Sequence, residues 1–212
     1  MSEIIIHHLE TSQSERIIWL CEELGLPYTL KIYKRTKWVR LAPPEYHALH
    51  PMGLAPVVEI DGIMLAESGA IIEYIVQRYG GGALQPKPED SNYAEWLFWF
   101  HFANATLMAS EMLMMILKTL PLAFPVRKLL AYRSKRSYAV TEARLGQAPW
   151  LAGDFSTAEI MMAFPFTTMR AFTKSKLDTY PNIRAWVARI RARPAYQRAM
   201  AAGDPGLKPV LD

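Results

Sequence analysis

Over the first eighty residues the apolar positions switch repeatedly between a strand-like and a helix-like period. Glu3–Leu9 is a β-branched run, and after a polar stretch Ile17, Leu20, Cys21 and Leu24 recur at helical spacing until Gly25 and Pro27 stop them. Tyr28–Tyr33 alternates like a second strand, completing a βαβ unit. An irregular stretch with Pro43, Pro44 and Pro51 follows. Pro56–Ile60, the turn Asp61-Gly62 and Ile63–Ala66 then predict a β-hairpin. Gly69–Tyr79 carries Ile71, Ile72, Ile75 and Val76 on one face of a closing helix.

The order βαβ, then ββα, predicts a thioredoxin-like α/β domain over residues 1–79. Gly80-Gly81-Gly82 and Gln85-Pro86-Lys87-Pro88-Glu89-Asp90 mark a linker over 80–91. Beyond it the patterns are all helical, at 92–119, 125–145, 157–172, 182–192 and 195–202, so 92–212 is expected to be an all-α domain. Residues 92–119 are apolar almost all round, which fits a helix covered on more than one side. Ser156-Thr157-Ala158-Glu159 has the form of a capping box, flanked by Phe155 and Ile160 as a hydrophobic staple.

Composition excludes several classes. With 51% apolar and 21% charged residues, the chain is neither disordered nor collagen-like. The net charge of +4 divides unevenly: residues 1–79 hold 7 Lys+Arg against 10 Asp+Glu, and residues 80–212 hold 17 against 10. Arg184, Arg191 and Arg198 recur every seven residues on the basic side, a stripe read as a solvated helical face, with no nucleic-acid motif beside it. Cys21 is the one cysteine, which forbids an intramolecular disulfide, fits a reducing cytoplasm and leaves dithiol exchange unsupported. It lies on a buried stripe and is expected to be inert. His7, His8, His47, His50 and His101 lack metal-ligand spacing, so no metal is expected. Glu95, His101, Asn104 and Glu111 interrupt the most apolar segment, Tyr93–Leu117, and no membrane insertion is expected.

Four motifs carry a resemblance. Leu9-Glu10-Thr11-Ser12-Gln13-Ser14-Glu15-Arg16 with Trp19-Leu20-Cys21-Glu22-Glu23-Leu24-Gly25 is similar to the first loop and helix of the serine-type cytosolic glutathione transferases. His50-Pro51-Met52-Gly53-Leu54-Ala55-Pro56-Val57-Val58 resembles their cis-proline loop. Leu65-Ala66-Glu67-Ser68-Gly69-Ala70-Ile71-Ile72-Glu73-Tyr74 resembles their glutathione-recognition segment. Trp150-Leu151-Ala152-Gly153-Asp154-Phe155-Ser156-Thr157-Ala158-Glu159 resembles their helical-domain capping motif. The likeness spans essentially the whole chain and is closest to bacterial and fungal enzymes allied to the phi and theta types.

The resemblance implies glutathione as co-substrate, a small hydrophobic electrophile or a peroxide as second substrate, and a homodimer. Ser68 and nearby N–H groups at a helix N-terminus would hold the γ-glutamyl carboxylate, with Glu67 meeting the ammonium; the plainer reading is that both only cap the helix. A cis peptide before Pro56 would let Ala55 pair with the cysteinyl unit through its backbone. Ser12 would donate a hydrogen bond to the thiol, with Ser14 as competitor, and either serine is also a possible helix cap. Leu54 stands where many relatives have Lys or Gln, so Arg35, Lys37, Arg40 or His50 would have to supply the charge for the glycyl carboxylate. Glu159 replaces the more usual aspartate of the capping motif. Asn104 is a polar group in an apolar stripe, open to a cleft, a dimer interface or an internal hydrogen bond. Met108, Met112, Met114 and Met115 with Trp96 and Phe100 suit either an adaptable pocket or core. The competing class is a non-catalytic glutathione-binding or protein-interaction module of the same fold, which the Leu54 departure favours.

Overall fold

In a computed structural model the described residues are 2–38, 40–117, 120 and 124–207. The end of the expected 92–119 helix and the last five residues of the chain lie outside them. The chain divides into two compact units, one running to Gln85 and resuming at Arg191, the other Pro86–Ile190.

The first unit is built on β1 (Ile5–Leu9), α1 (Glu15–Leu24), β2 (Thr29–Tyr33), the single turn α2 (Pro44–His47), β3 (Val57–Ile60), β4 (Ile63–Ala66) and α3 (Ser68–Arg78). The sheet order is β2-β1-β3-β4, with β1 parallel to β2 and antiparallel to β3. This is the thioredoxin-like arrangement. The hairpin closes in register, Val57 opposite Ala66 and Ile60 opposite Ile63. Asp61 and Gly62 supply the two positive φ angles, 52° and 76°, that so tight a turn demands. Ile17, Ile18, Leu20 and Cys21 of α1 and Ile71, Ile72, Ile75 and Val76 of α3 are buried. Burial pushes the Cys21 thiol up to about 12, so it stays protonated and unreactive.

The helical unit holds α4 (Tyr93–Phe102), a π-helical turn (Ala103–Met108), α5 (Ala109–Leu117), α6 (Phe124–Leu145), α7 (Thr157–Phe166), α8 (Arg170–Thr173) and most of α9 (Pro181–Ala192). The predicted 157–172 helix is broken, because Pro165 lacks the N–H that would extend the ladder and Thr167 leaves helical backbone at φ −119°, ψ −101°. Trp96 donates from Nε1 to Thr157 Oγ1 at 2.9 Å, joining α4 to α7. Tyr93–Leu117 is long and apolar enough to cross a bilayer by length and composition alone, a test that the core helix of a globular domain also passes. One side of it is core: Trp96, Trp99, Phe100, Ala103 and Leu107 are buried.

The last helix, α10 (Pro194–Gly203), departs from the expected 92–212 domain by packing in the first unit. Its contacts with α1 explain why. Tyr196 meets the buried Trp19 edge-on, ring centroids 4.9 Å apart. Arg193 grips Glu23 with two hydrogen bonds of 2.6 and 2.7 Å, and Arg198 reaches Glu22 at 2.6 Å. Arg198 of the heptad stripe is therefore ion-paired at a partly exposed helix contact. At the helix end, a side chain on Gly203 would come within 2.9 Å of Ile18 and 3.2 Å of His8. Glycine lets this segment approach β1 closely.

Candidate functional site

The loop from β1 into α1 gathers the serines. Ser12 Oγ and Ser14 Oγ are 2.7 Å apart, and the Ser14 N–H donates to Ser12 Oγ at 3.2 Å. Ser14 Oγ lies 2.8 Å from His8 Nδ1, and His8 Nε2 lies 3.1 Å from Asp204 Oδ2. The other carboxylate oxygen accepts the Thr11 N–H at 2.8 Å. Four polar side chains from β1, the loop, α1's threshold and the segment after α10 thus form one chain in the interior. Ser14 and His8 are fully buried, whereas Ser12 keeps 4% of its surface. Of the two serines, Ser12 is the one that touches solvent. Thr11 is held at φ 50°, a rare conformation for a β-branched residue, and the Asp204 bond to its N–H fixes it there.

Arg16, the last residue of the first motif, is fully buried. It donates from Nη1 to Gln13 Oε1 at 2.5 Å and to Ser68 Oγ at 3.2 Å. Burial lowers its guanidinium to about 9, still cationic near neutral pH. The head of α1 is therefore tied to the head of α3 by a positive charge.

At the head of α3, Ser68 is buried and Glu67 exposed, with φ 73° and ψ 120°. That backbone strain, of order 1–3 kcal/mol for a non-glycine residue, places Glu67 outside the helix while the first N–H groups remain unspent. The intrahelical ladder starts only with Ile71 N–H to Glu67 C=O at 2.9 Å. Glu67 makes no side-chain cap bond there. Dipole, free donors and Arg16 all favour an anion at this terminus.

The Ala55-Pro56 peptide is cis. Ala55 precedes the ladder, which begins at Val57, and it packs on the cluster of Leu9, Tyr46 and Val57. Leu54 is 60% exposed. Of the cations named to replace a charge there, Arg35 is spent on the backbone, donating to Glu10 O, Arg40 O and Thr11 O. His50 Nδ1 accepts the Met52 N–H at 3.3 Å. Arg40 reaches Thr11 Oγ1 at 3.4 Å, and Lys37 is exposed.

In the helical unit Asn104 is half-buried within the π turn, a distortion frequent at functional positions. Met108 belongs to a core cluster with Phe164 and Met169, whereas Met112 is exposed. Glu159 completes the capping box and also reaches across to the Leu151 N–H at 2.6 Å. Sequence reasoning misses His8 and Asp204 as members of the serine network, and Arg16 as the link between the first loop and Ser68. It weighs His8 only as a metal ligand, and nothing local to Gly203-Asp204 signals a partner near the other terminus.

Residues 12–78 match the family model for the glutathione S-transferase N-terminal domain, and residues 130–194 match that for the C-terminal domain. The chain is 35% identical to Glutathione S-transferase 3 of Schizosaccharomyces pombe, over 91% of this chain and 84% of the relative. It is 27% identical to the Disulfide-bond oxidoreductase YfcG of Escherichia coli, over 96% of this chain and 97% of the relative. Among solved structures, a glutathione S-transferase from Actinobacillus pleuropneumoniae superposes with a TM-score of 0.87 at 30% identity, covering 95% of this chain and 93% of that one.

Proposed function

The chain belongs to the glutathione S-transferase family and is an enzyme with glutathione as substrate; from that premise we infer that it adds the glutathione thiolate to small hydrophobic electrophiles. The observation that carries the reading is Arg16, which ties the turn bearing Ser12 to Ser68 at the head of α3. A hydroxyl suited to a sulfur and a helix terminus suited to a carboxylate then belong to one rigid assembly.

In this reading the γ-glutamyl carboxylate docks at the N–H groups of α3 and Ser68, with Glu67 on the ammonium. The cysteinyl unit pairs with the Ala55 backbone beside Pro56, as a short antiparallel strand would. The sulfur comes to Ser12. A free thiol with a pKa near 8.5 is only a few per cent ionised at pH 7, so a hydroxyl donor beside the start of α1 raises the nucleophile's concentration. The hydroxyl stays unmodified, and binding both substrates supplies proximity. Lys37 and Arg40 are the better candidates for the glycyl carboxylate, since Arg35 is spent on backbone carbonyls. No metal takes part in this scheme. The single buried cysteine suits a cytoplasmic setting. A homodimer is supported by exposed apolar side chains on α4, α5 and α6, among them Phe98, Ile116 and Leu129; sedimentation as a 24 kDa species would contradict it.

The test is isothermal calorimetry with glutathione beside turnover of an electrophile panel. Binding with conjugation is expected, and absence of binding would overturn the reading. Binding without turnover on any acceptor would favour a non-catalytic module. A second reading, glutathione-dependent disulfide or peroxide reduction at the same Ser12, is favoured by the likeness to the Escherichia coli oxidoreductase. Turnover of disulfides and hydroperoxides in preference to electrophiles would select it.

A further inference from the structure

The mechanism above requires a thiol proton to go somewhere, and the interior behind Ser12 offers a destination. Asp204 accepts from His8 Nε2, so the proton of the neutral imidazole sits on Nε2 and Nδ1 is an acceptor. Ser14 must then donate its hydroxyl hydrogen to Nδ1, and Ser12 must donate its own to Ser14. With its hydrogen turned inward and one lone pair holding the Ser14 N–H, Ser12 Oγ has one acceptor site left, on the one serine of the pair that keeps any exposed surface. In its resting direction the chain is therefore set to receive a hydrogen, not to give one.

Resting on the glutathione reading above, we propose that His8, held by Asp204, stores the proton of the bound thiol, received through Ser12 and Ser14. The step balances. The S–H bond breaks and its proton moves to Ser12 Oγ; the Ser12 hydrogen moves to Ser14 Oγ; the Ser14 hydrogen moves to His8 Nδ1. One S–H bond is lost and one N–H bond gained. Thiolate and imidazolium form together beside the Asp204 carboxylate, and nothing is exchanged with solvent. The reversed chain leaves the Ser12 hydroxyl donating outward to the sulfur, the direction that stabilises a thiolate. One cycle thus explains how a serine can accept from a thiol and then donate to the thiolate.

The surroundings suit this role. Among the described residues Asp204 is the charged group ion-paired with His8, and Arg35 lies close enough to feel the Asp204 charge. On β2 the register partner of His8 is the apolar Ile32, and the residue before α1 contributes Ser14. Gly203 admits the segment that delivers Asp204, and Thr11 receives its second oxygen. His8 and Asp204 act through the serines, as positioning residues.

The experiment counts protons. Heats of binding glutathione and S-methylglutathione are measured near neutral pH in buffers of different ionisation enthalpy, and bound thiolate is measured by its ultraviolet absorbance. S-methylglutathione has no thiol proton, so the difference between ligands isolates it. Wild type is expected to release well under one proton per thiolate formed. His8→Asn keeps an acceptor for Ser14 but cannot hold a proton at these pH values; it should release one proton per thiolate, with about tenfold less thiolate at pH 7 for one pKa unit of lost stabilisation. Asp204→Asn keeps the Thr11 bond, forces the imidazole hydrogen onto Nδ1 and should release the proton likewise. Release of one full proton per thiolate by wild type, unchanged in both variants, would overturn the proposal while leaving the glutathione reading standing. If wild type binds no glutathione, that reading fails and the proposal with it. Should His8→Asn fail to fold, Asp204→Asn and wild type still decide the question.

Discussion

Two buried networks in this protein begin with a serine at a helix start and end on a carboxylate, and they do different work. In the helical unit Ser156 opens α7, and Glu159 accepts from the Ser156 N–H at 2.9 Å, the Ser156 hydroxyl at 2.8 Å and the Leu151 N–H at 2.6 Å. Every member lies within eight residues of the others, and Ser156 and Glu159 are 3% and 0% exposed. In the first unit Ser12 and Ser14 run through His8 to Asp204, 196 residues away from His8. The local network is a cap. The long-range one joins β1 and the loop after it to the segment beyond α10, and it is the one proposed above to serve the thiol. What separates them is reach along the chain, a property that residue type does not reveal.

Breaking the cap should give the largest effect on stability. Glu159→Ala strips acceptors from the Leu151 and Ser156 donors and is expected to cost about 3 kcal/mol of unfolding free energy in urea titrations. Glutathione affinity should barely change. The pH dependence of the same residue adds a sign: burial raises Glu159 from 4.5 to about 7, against the pull of its hydrogen bonds. Between those values the folded chain holds a proton that the unfolded chain releases. The Glu159 contribution is thus fully present below about 4.5 and is lost as pH rises through about 7. Denaturation from pH 5 to 7.5 should show that decline in wild type and a flatter profile in Glu159→Gln.

Breaking the long-range network should affect chemistry more than folding. Ser12→Ala is expected to lower kcat/KM about 10- to 100-fold at pH 7, the worth of one hydrogen bond to a charged partner, and to raise the pH at which bound glutathione ionises. Its unfolding midpoint should move little, and an unchanged pH–rate profile would reject the role. Gly203→Ala tests the tertiary clamp. The added methyl meets Ile18 and His8, so about 1–2 kcal/mol of stability should be lost together with part of the thiolate. The smallest effect is expected at the surface. Leu54→Lys restores a cation at an exposed position and should tighten glutathione by up to about 5-fold in low salt, a gain that disappears at high ionic strength.

Much of this is legible in the chain. The hairpin over Pro56–Ala66, the α7 capping box and the helix beginning near Ser68 are local devices, dictated by turn chemistry, side-chain period and caps a few residues apart. The motif carrying Glu67 and Ser68 and the residues flanking the cis Ala55-Pro56 bond are found in the same way. Choosing between Ser12 and Ser14 is harder, because both are small hydroxyls at one helix start. The choice rests on Ser14 being enclosed by His8 and Ser12. Arg35, one of four cations open as a partner for the charge missing at Leu54, is a similar case: it looks available in the sequence, but its guanidinium holds three carbonyls of its own unit.

By itself the sequence determined the two-part layout, the strand and helix order of the first unit, the helical character of the second and the family. Each follows from interactions between near neighbours or from a motif contiguous in the chain. Tertiary structure alone decided that α10 returns to pack on α1, that Arg16 joins two helix heads, and that Asp204 stands behind His8. Those contacts depend on packing between residues far apart in sequence, and a glycine followed by an aspartate carries no mark of the distant histidine it will meet.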